Sequence, residues 1–143
     1  MGILSRILSF FGIQTAKQIE ITQLNSELIL LEQNRTEFEF IGITSNGIDC
    51  IYFVKDDNKF QIEFEAITER QIPYIEKLKS FANQNGFETQ ITTYNNKPHY
   101  NAQEAPVLKI FTNSNVEVTS EIGQKIQKDI FNNQMNTKYE IVP

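Results

Sequence analysis

The chain has 143 residues, of which 40% are hydrophobic and 22% charged, and its formal net charge is −5. That is the length of one domain with enough apolar material for a core, which excludes global disorder. A single cysteine, Cys50, and a single histidine, His99, exclude an internal disulfide and a Cys/His zinc framework, and acidity with scattered Lys and Arg excludes nucleic acid as the expected partner.

The chain opens on Met1 to Gly12, "MGILSRILSFFG". At 100° per residue, Ile3, Leu4, Ile7, Leu8, Phe10 and Phe11 fall within an arc of about 160°, with Ser5, Arg6, Ser9 and Gly12 on the rest of the wheel. The pattern predicts an amphipathic helix over residues 1–12, too short to span a bilayer. It lacks the cleavage site of a signal peptide, and Arg6 stands where a myristoylation motif needs Ser or Thr. Such a helix docks on protein or lies on a membrane surface, and one positive charge attracts anionic lipid weakly. Docking on protein is the preferred expectation.

Residues 17–143 read as a single α+β domain. Ile21, Leu24, Leu28 and Leu31 recur at helical spacing between Gln18 and Gln33, with Ile29 and Leu30 widening the stripe. Three strands follow. Phe38 and Phe40 alternate with Glu37, Glu39 and Ile41, which predicts a strand with the two phenylalanines buried. Asn46-Gly47 predicts a hairpin turn in which both residues take positive φ. The apolar run Ile48 to Val54 predicts a central strand, with Cys50 as a small buried hydrophobe in it. Asp56-Asp57-Asn58 predicts the next turn, and Phe60, Ile62, Phe64 and Ala66 then point to one side, opposite Gln61, Glu63 and Glu65. An antiparallel three-stranded meander results.

A helix with Ile72, Ile75, Leu78, Phe81 and Ala82 on its apolar side is predicted next, starting near Gln71 because Pro73 is tolerated in a first turn. Asn85-Gly86 ends it. A strand over Phe87 to Tyr94 and another over Val107 to Thr112 follow. The last helix, Val116 to Phe131, carries the stripe Val118, Ile122, Ile126 and Ile130, with Glu117 and Glu121 early and Lys125 and Lys128 late, as the helix dipole favours. Thr137 to Val142 reads as an edge strand or a tail.

The order helix, three strands, helix, two strands, helix predicts an α+β sandwich: a five-stranded antiparallel sheet with helices on one face. That order, in a small acidic chain with an amphipathic C-terminal helix, resembles the type III secretion chaperone-like fold, which also includes YbjN-like proteins. The resemblance covers roughly residues 18–131 and rests on topology and composition. It implies a homodimeric, non-enzymatic protein-binding module, a pattern to which the N-terminal helix is foreign.

The sequence has no Gly-rich phosphate loop, no EF-hand and no G-x-S-x-G elbow, so no cofactor or metal is expected and no catalytic residue is assigned. Glu37, Glu39, Glu63 and Glu65 are candidates for one acidic sheet face that attracts a basic partner. The segment 95–105 is long for a hairpin connection, and Tyr94, Lys97, His99 and Tyr100 offer the hydrogen bonds and aromatic area of a partner contact. The preferred expectation is a cytoplasmic, dimeric, chaperone-like module using an apolar patch and an acidic face. Two alternatives stand beside it: a peripheral membrane adaptor held by residues 1–12, and an immunity-type protein that neutralises a basic toxin.

Overall fold

The computed structural model describes residues 17–93 and 105–142. The predicted helix over 1–12 and the contact residues Tyr94, Lys97, His99 and Tyr100 therefore lie outside the described residues. The described elements, in chain order, begin with β1 (Gln18–Ile19), a 3-10 turn (Ile21–Gln23) and α1 (Leu24–Glu32). Next come β2 (Phe40–Thr44), β3 (Ile51–Asp56), β4 (Lys59–Glu65), a second 3-10 turn (Glu69–Gln71) and α2 (Ile72–Gln84). Then follow β5 (Glu88–Thr93), β6 (Pro106–Ser114), α3 (Val116–Lys125), a π-helical turn (Ile126–Ile130) and β7 (Tyr139–Val142).

The antiparallel α+β class stands, but the sheet has seven strands, not five, in the order β1-β7-β2-β3-β4-β6-β5. Two short strands make the difference. Tyr139–Val142 is neither an edge nor a tail: it runs between β1 and β2, pairing Ile19 with Tyr139 and Ile43 with Ile141. Tyr139 is 1% exposed, and burial pushes its phenol up to about 12. Hydrophobicity explains the position, because an aromatic of that size gains most in the interior. Gln18 and Ile19, read as helix, instead extend along β7.

The predicted meander is present, with Phe53 paired to both Ile41 and Ile62. Its buried side carries Ile41, Ile43, Ile51, Phe53, Phe60, Ile62 and Phe64, each no more than 6% exposed, continued by Leu108 and Ile110 on β6. The helices lie on that side. Phe131, just after the π-turn, meets Phe64 at 6.0 Å and Tyr74 of α2 at 4.7 Å between ring centroids. A Cβ on Gly123 of α3 would stand 2.9 Å from the Phe53 ring and 2.8 Å from Leu24 of α1, so glycine lets the two helices and the sheet close at this point.

Two stripes differ from their predictions. Phe38 and Phe40 are not on the buried side: β2 turns Ile41 and Ile43 inward, Phe38 is 43% exposed and Phe40 half-buried. On α3, Thr119 and Gly123 face the core with Val116 and Ile122, while Val118 is exposed. The Thr119 hydroxyl is accommodated there by hydrogen bonds to the Asn115 carbonyl and to Ser114. Asn115 also caps the helix, accepting from the Val118 amide at 2.9 Å.

The predicted hairpin turn is also different. Gly47 takes φ +83° but Asn46 does not join it in the left-handed region. The loop is held instead by buried Asp49, whose carboxylate accepts from the Thr44 hydroxyl at 2.8 Å, the Ser45 amide at 2.8 Å and hydroxyl, and the Asn133 side-chain amide at 2.8 Å. Gln127 of the π-turn donates to the Asp49 carbonyl at 3.0 Å, and Gln71 donates to the Ile48 carbonyl at 3.2 Å. One loop thus joins the start of α2 to the end of the α3 segment. Asp49→Ala deprives the Thr44, Ser45 and Asn133 donors of their carboxylate acceptor and is expected to cost about 2–4 kcal/mol by urea unfolding; a cost below about 1 kcal/mol would contradict the role of this loop as a joint.

Candidate functional site

Alternation along the strands places a second set of side chains on the side away from the helices. Register carries one row across six strands: Val142, Gly42, Tyr52, Glu63, Lys109 and Gln90. Flanking it are Phe40 and Val54, which face each other on β2 and β3, and Glu65 and Val107 on β4 and β6. The described helices pack against the opposite side, on the core slab.

The β2–β3 half of this face is aromatic. Phe38 stacks on Phe40 with centroids 5.4 Å apart and planes 13° from parallel, and Phe40 meets Tyr52 edge-on at 6.0 Å. Gly42 makes the arrangement possible. A Cβ there would lie 2.7 Å from Val142 and 2.8 Å from the Tyr52 ring, so the absent side chain is the space the tyrosine occupies.

The β4–β6 half is charged. Glu63 and Glu65 project on the same side, and Lys109 stands opposite Glu63 in the register. The Glu65 carboxyl is raised above its ordinary value by burial and then by the negative charge of Glu63. Glu37 and Glu39 do not join this pair: they precede β2 and, with the Phe38 between them, line a small hollow with Leu31 and Asn34 near the end of α1. The four-carboxylate face expected from the sequence is thus two separate pairs.

Cys50 belongs to the same neighbourhood, beside Tyr52, Glu65 and Asp49. Burial pushes its thiol up to about 12, which suits an inert thiol and not a nucleophile. Among the described residues no group of three His, Cys, Asp or Glu side chains converges as metal ligands would. An open furrow of roughly 700 Å³ lies between α2 and the π-turn, lined by Glu76, Lys77, Ser80, Lys125 and Asp129 among others. Its lining mixes charges of both signs and it is open to solvent, so it has the character of a solvated seam between helices.

Sequence reasoning did not find the Phe38–Phe40–Tyr52 cluster as a surface feature. The signal was in Ile41-Gly42-Ile43, where two β-branched residues flank a glycine and define the buried side better than the phenylalanines do. Comparison with protein-family models, curated proteins and solved structures finds no match.

A carboxyl whose folded pKa is raised binds its proton more tightly when folded. Glu65 therefore withdraws stability as pH rises from the ordinary carboxylate range through its folded value. Glu65→Gln is expected to be more stable than the natural protein at about pH 7 and to lose that advantage at about pH 4 in urea unfolding. The same advantage at both pH values would show that the Glu65 charge is not the cause.

Proposed function

We propose that this protein is a non-enzymatic, chaperone-like binding module that grips a protein partner on the helix-free face of its sheet and acts as a homodimer. The observation that carries the reading is the juxtaposition, on one face, of the Phe38–Phe40–Tyr52 aromatics with the Glu63–Glu65 carboxylates. Large rings with a polar rim are what concentrate binding energy in protein interfaces. The partner segment this face fits is apolar along one side with a basic residue at one end. The chaperone-like element order, with its meander followed by a helix and two further strands, supports the same reading. Pairing of two copies along β5, which hydrogen-bonds to β6 alone among the described strands, is the proposed route to the dimer.

A second reading, neutralisation of a basic toxin, draws on the carboxylate half of the face. The two readings separate by substitution. In affinity capture from the native cell with the full chain, Phe38→Ser combined with Phe40→Ser is expected to lower partner recovery at least tenfold, about 1.4 kcal/mol or more. Glu63→Gln with Glu65→Gln is expected to lower it less. Ile29→Ser, an exposed apolar residue on α1, is the control and leaves recovery unchanged. Full recovery by the double phenylalanine variant would refute the docking face, and loss confined to the glutamine variant would favour the toxin-binding reading.

A further inference from the structure

We propose that Asn46-Gly47 is a self-modification site that the Asp49 loop keeps closed. When the loop opens, the pair loses ammonia through a cyclic imide, and the isoaspartyl linkage left behind keeps the loop open.

The chemistry needs this chain, water and hydroxide alone. The Gly47 amide nitrogen gives its proton to hydroxide and bonds to the Asn46 Cγ. The Cγ–Nδ2 bond then breaks, and ammonia leaves with a proton returned from water. A further water opens the imide at either carbonyl. Opening at Cγ gives an aspartyl residue; opening at the Asn46 backbone carbonyl gives an isoaspartyl residue, with the chain running through the former side chain. Glycine favours ring closure because it has no side chain to crowd the nitrogen and its backbone turns freely.

Burial does not protect the pair. Asn46 and Gly47 are both exposed, and a Cβ on Gly47 would meet nothing within 4 Å. Protection comes from hydrogen bonds. The Gly47 amide donates to Thr44 Oγ1 at 2.8 Å, and the Thr44 hydroxyl donates its own proton to the Asp49 carboxylate at 2.8 Å. Toward Gly47 the hydroxyl therefore presents a lone pair, which stabilises the N–H and repels the anion that attack requires. The Asp49 carboxylate behind it acts in the same sense. Asn46 Oδ1 is held as well, accepting from the Ile48 amide at 2.8 Å and the Asp49 amide at 3.1 Å. Taken alone, those two amides draw charge from the Cγ carbonyl and favour attack, as oxyanion donors do. They act on a step that follows loss of the Gly47 proton, so the Thr44–Asp49 pair controls the rate.

Opening and damage reinforce each other. An isoaspartyl residue adds a methylene to the backbone just before Ile48 and Asp49, whose carbonyls accept from Gln71 and Gln127. The lengthened chain displaces both acceptors, and the joint between α2 and the α3 segment weakens.

The sequence holds a second such pair, Asn85-Gly86, which serves as an internal control. Its Gly86 amide donates to the Asn83 carbonyl at 3.1 Å and its Asn85 side-chain amide to the Phe81 carbonyl at 2.8 Å, without Thr44.

The test incubates the full chain in mildly alkaline buffer and follows tryptic peptides by mass spectrometry. The peptide from Thr36 to Lys55 contains Asn46 and no other Asn or Gln, so an amide-to-acid mass gain in it reports this site alone. Asn46 in the folded chain is expected to react roughly tenfold or more slowly than in guanidinium. Thr44→Val is expected to raise the folded rate at Asn46 roughly fivefold or more while Asn85 is unchanged, and Thr44→Ser, which keeps the hydroxyl, to restore the natural rate. The isoaspartyl fraction is expected to unfold at lower urea than the natural chain. Equal rates in folded and denatured chain, no acceleration by Thr44→Val, or an isoaspartyl fraction as stable as the natural chain would each overturn the proposal. Should Thr44→Val speed both pairs alike, the variant has unfolded and amide hydrogen exchange of the natural chain decides. Protection of the Gly47 amide by roughly tenfold or more then supports the proposal, and exchange at the unprotected rate overturns it.

Discussion

Burial on one side of a twisted sheet is the constraint from which the remaining features follow. Phe53, Phe60, Ile62 and Phe64, all 0% exposed, form a slab across the two central strands, and α1, α2 and α3 each bring a stripe to it. Period-two alternation then assigns the opposite residues to the other side with no further choice available. The aromatic cluster at Phe38, Phe40 and Tyr52 and the carboxylates at Glu63 and Glu65 are where they are because their neighbours are in the core.

The two layers are fastened by polar groups at one end and by close approach in the middle. Asp49, Gln71 and Gln127 are each no more than 3% exposed, and they meet around the loop between β2 and β3. A buried network of this kind costs stability when incomplete and defines one arrangement when satisfied. At the start of β4, the register against β6 shifts between Phe60 and Ile62, and Gln61 bonds Asn113 in the extra length of β6 at 2.7 Å. The Thr112 hydroxyl returns to the Phe60 carbonyl at 2.8 Å. Such a bulge increases local twist, and it carries the chain from the sheet into the capped start of α3.

Much of this was legible from residue order. Phe60, Ile62, Phe64 and Ala66 defined β4 and its inward side, Ile75, Leu78, Phe81 and Ala82 defined α2, and Pro73 and Gly86 marked its ends. Legibility failed where two patterns overlapped. Phe38 and Phe40 alternate as cleanly as Ile41 and Ile43, and which pair is inward depends on pairing with Phe53, a partner distant in sequence. Val118 fits the helical stripe of α3 as well as Thr119 does, and the hydroxyl wins because Ser114 and Asn115 satisfy it locally. The interior place of β7 was illegible for a related reason: four residues carry no signal of which strand they will lie beside. Of the candidate site, Glu63 and Glu65 were found from the sequence; Phe38 and Phe40 were found but assigned to the wrong side, and Tyr52 was read only as part of the apolar run of β3.

The central claim is that the sheet has one side packed as core by the described helices and one side on which none of the described helices lies. Adjacent residues on β3 test it directly, since Phe53 points to the helices and Val54 away from them. Urea unfolding of the full chain is expected to show a loss of about 3–5 kcal/mol for Phe53→Ala, with residual cavity, and no more than about 1 kcal/mol for Val54→Ala. Comparable losses at the two positions would mean that both sides of the sheet are packed as core, which contradicts a one-sided sheet.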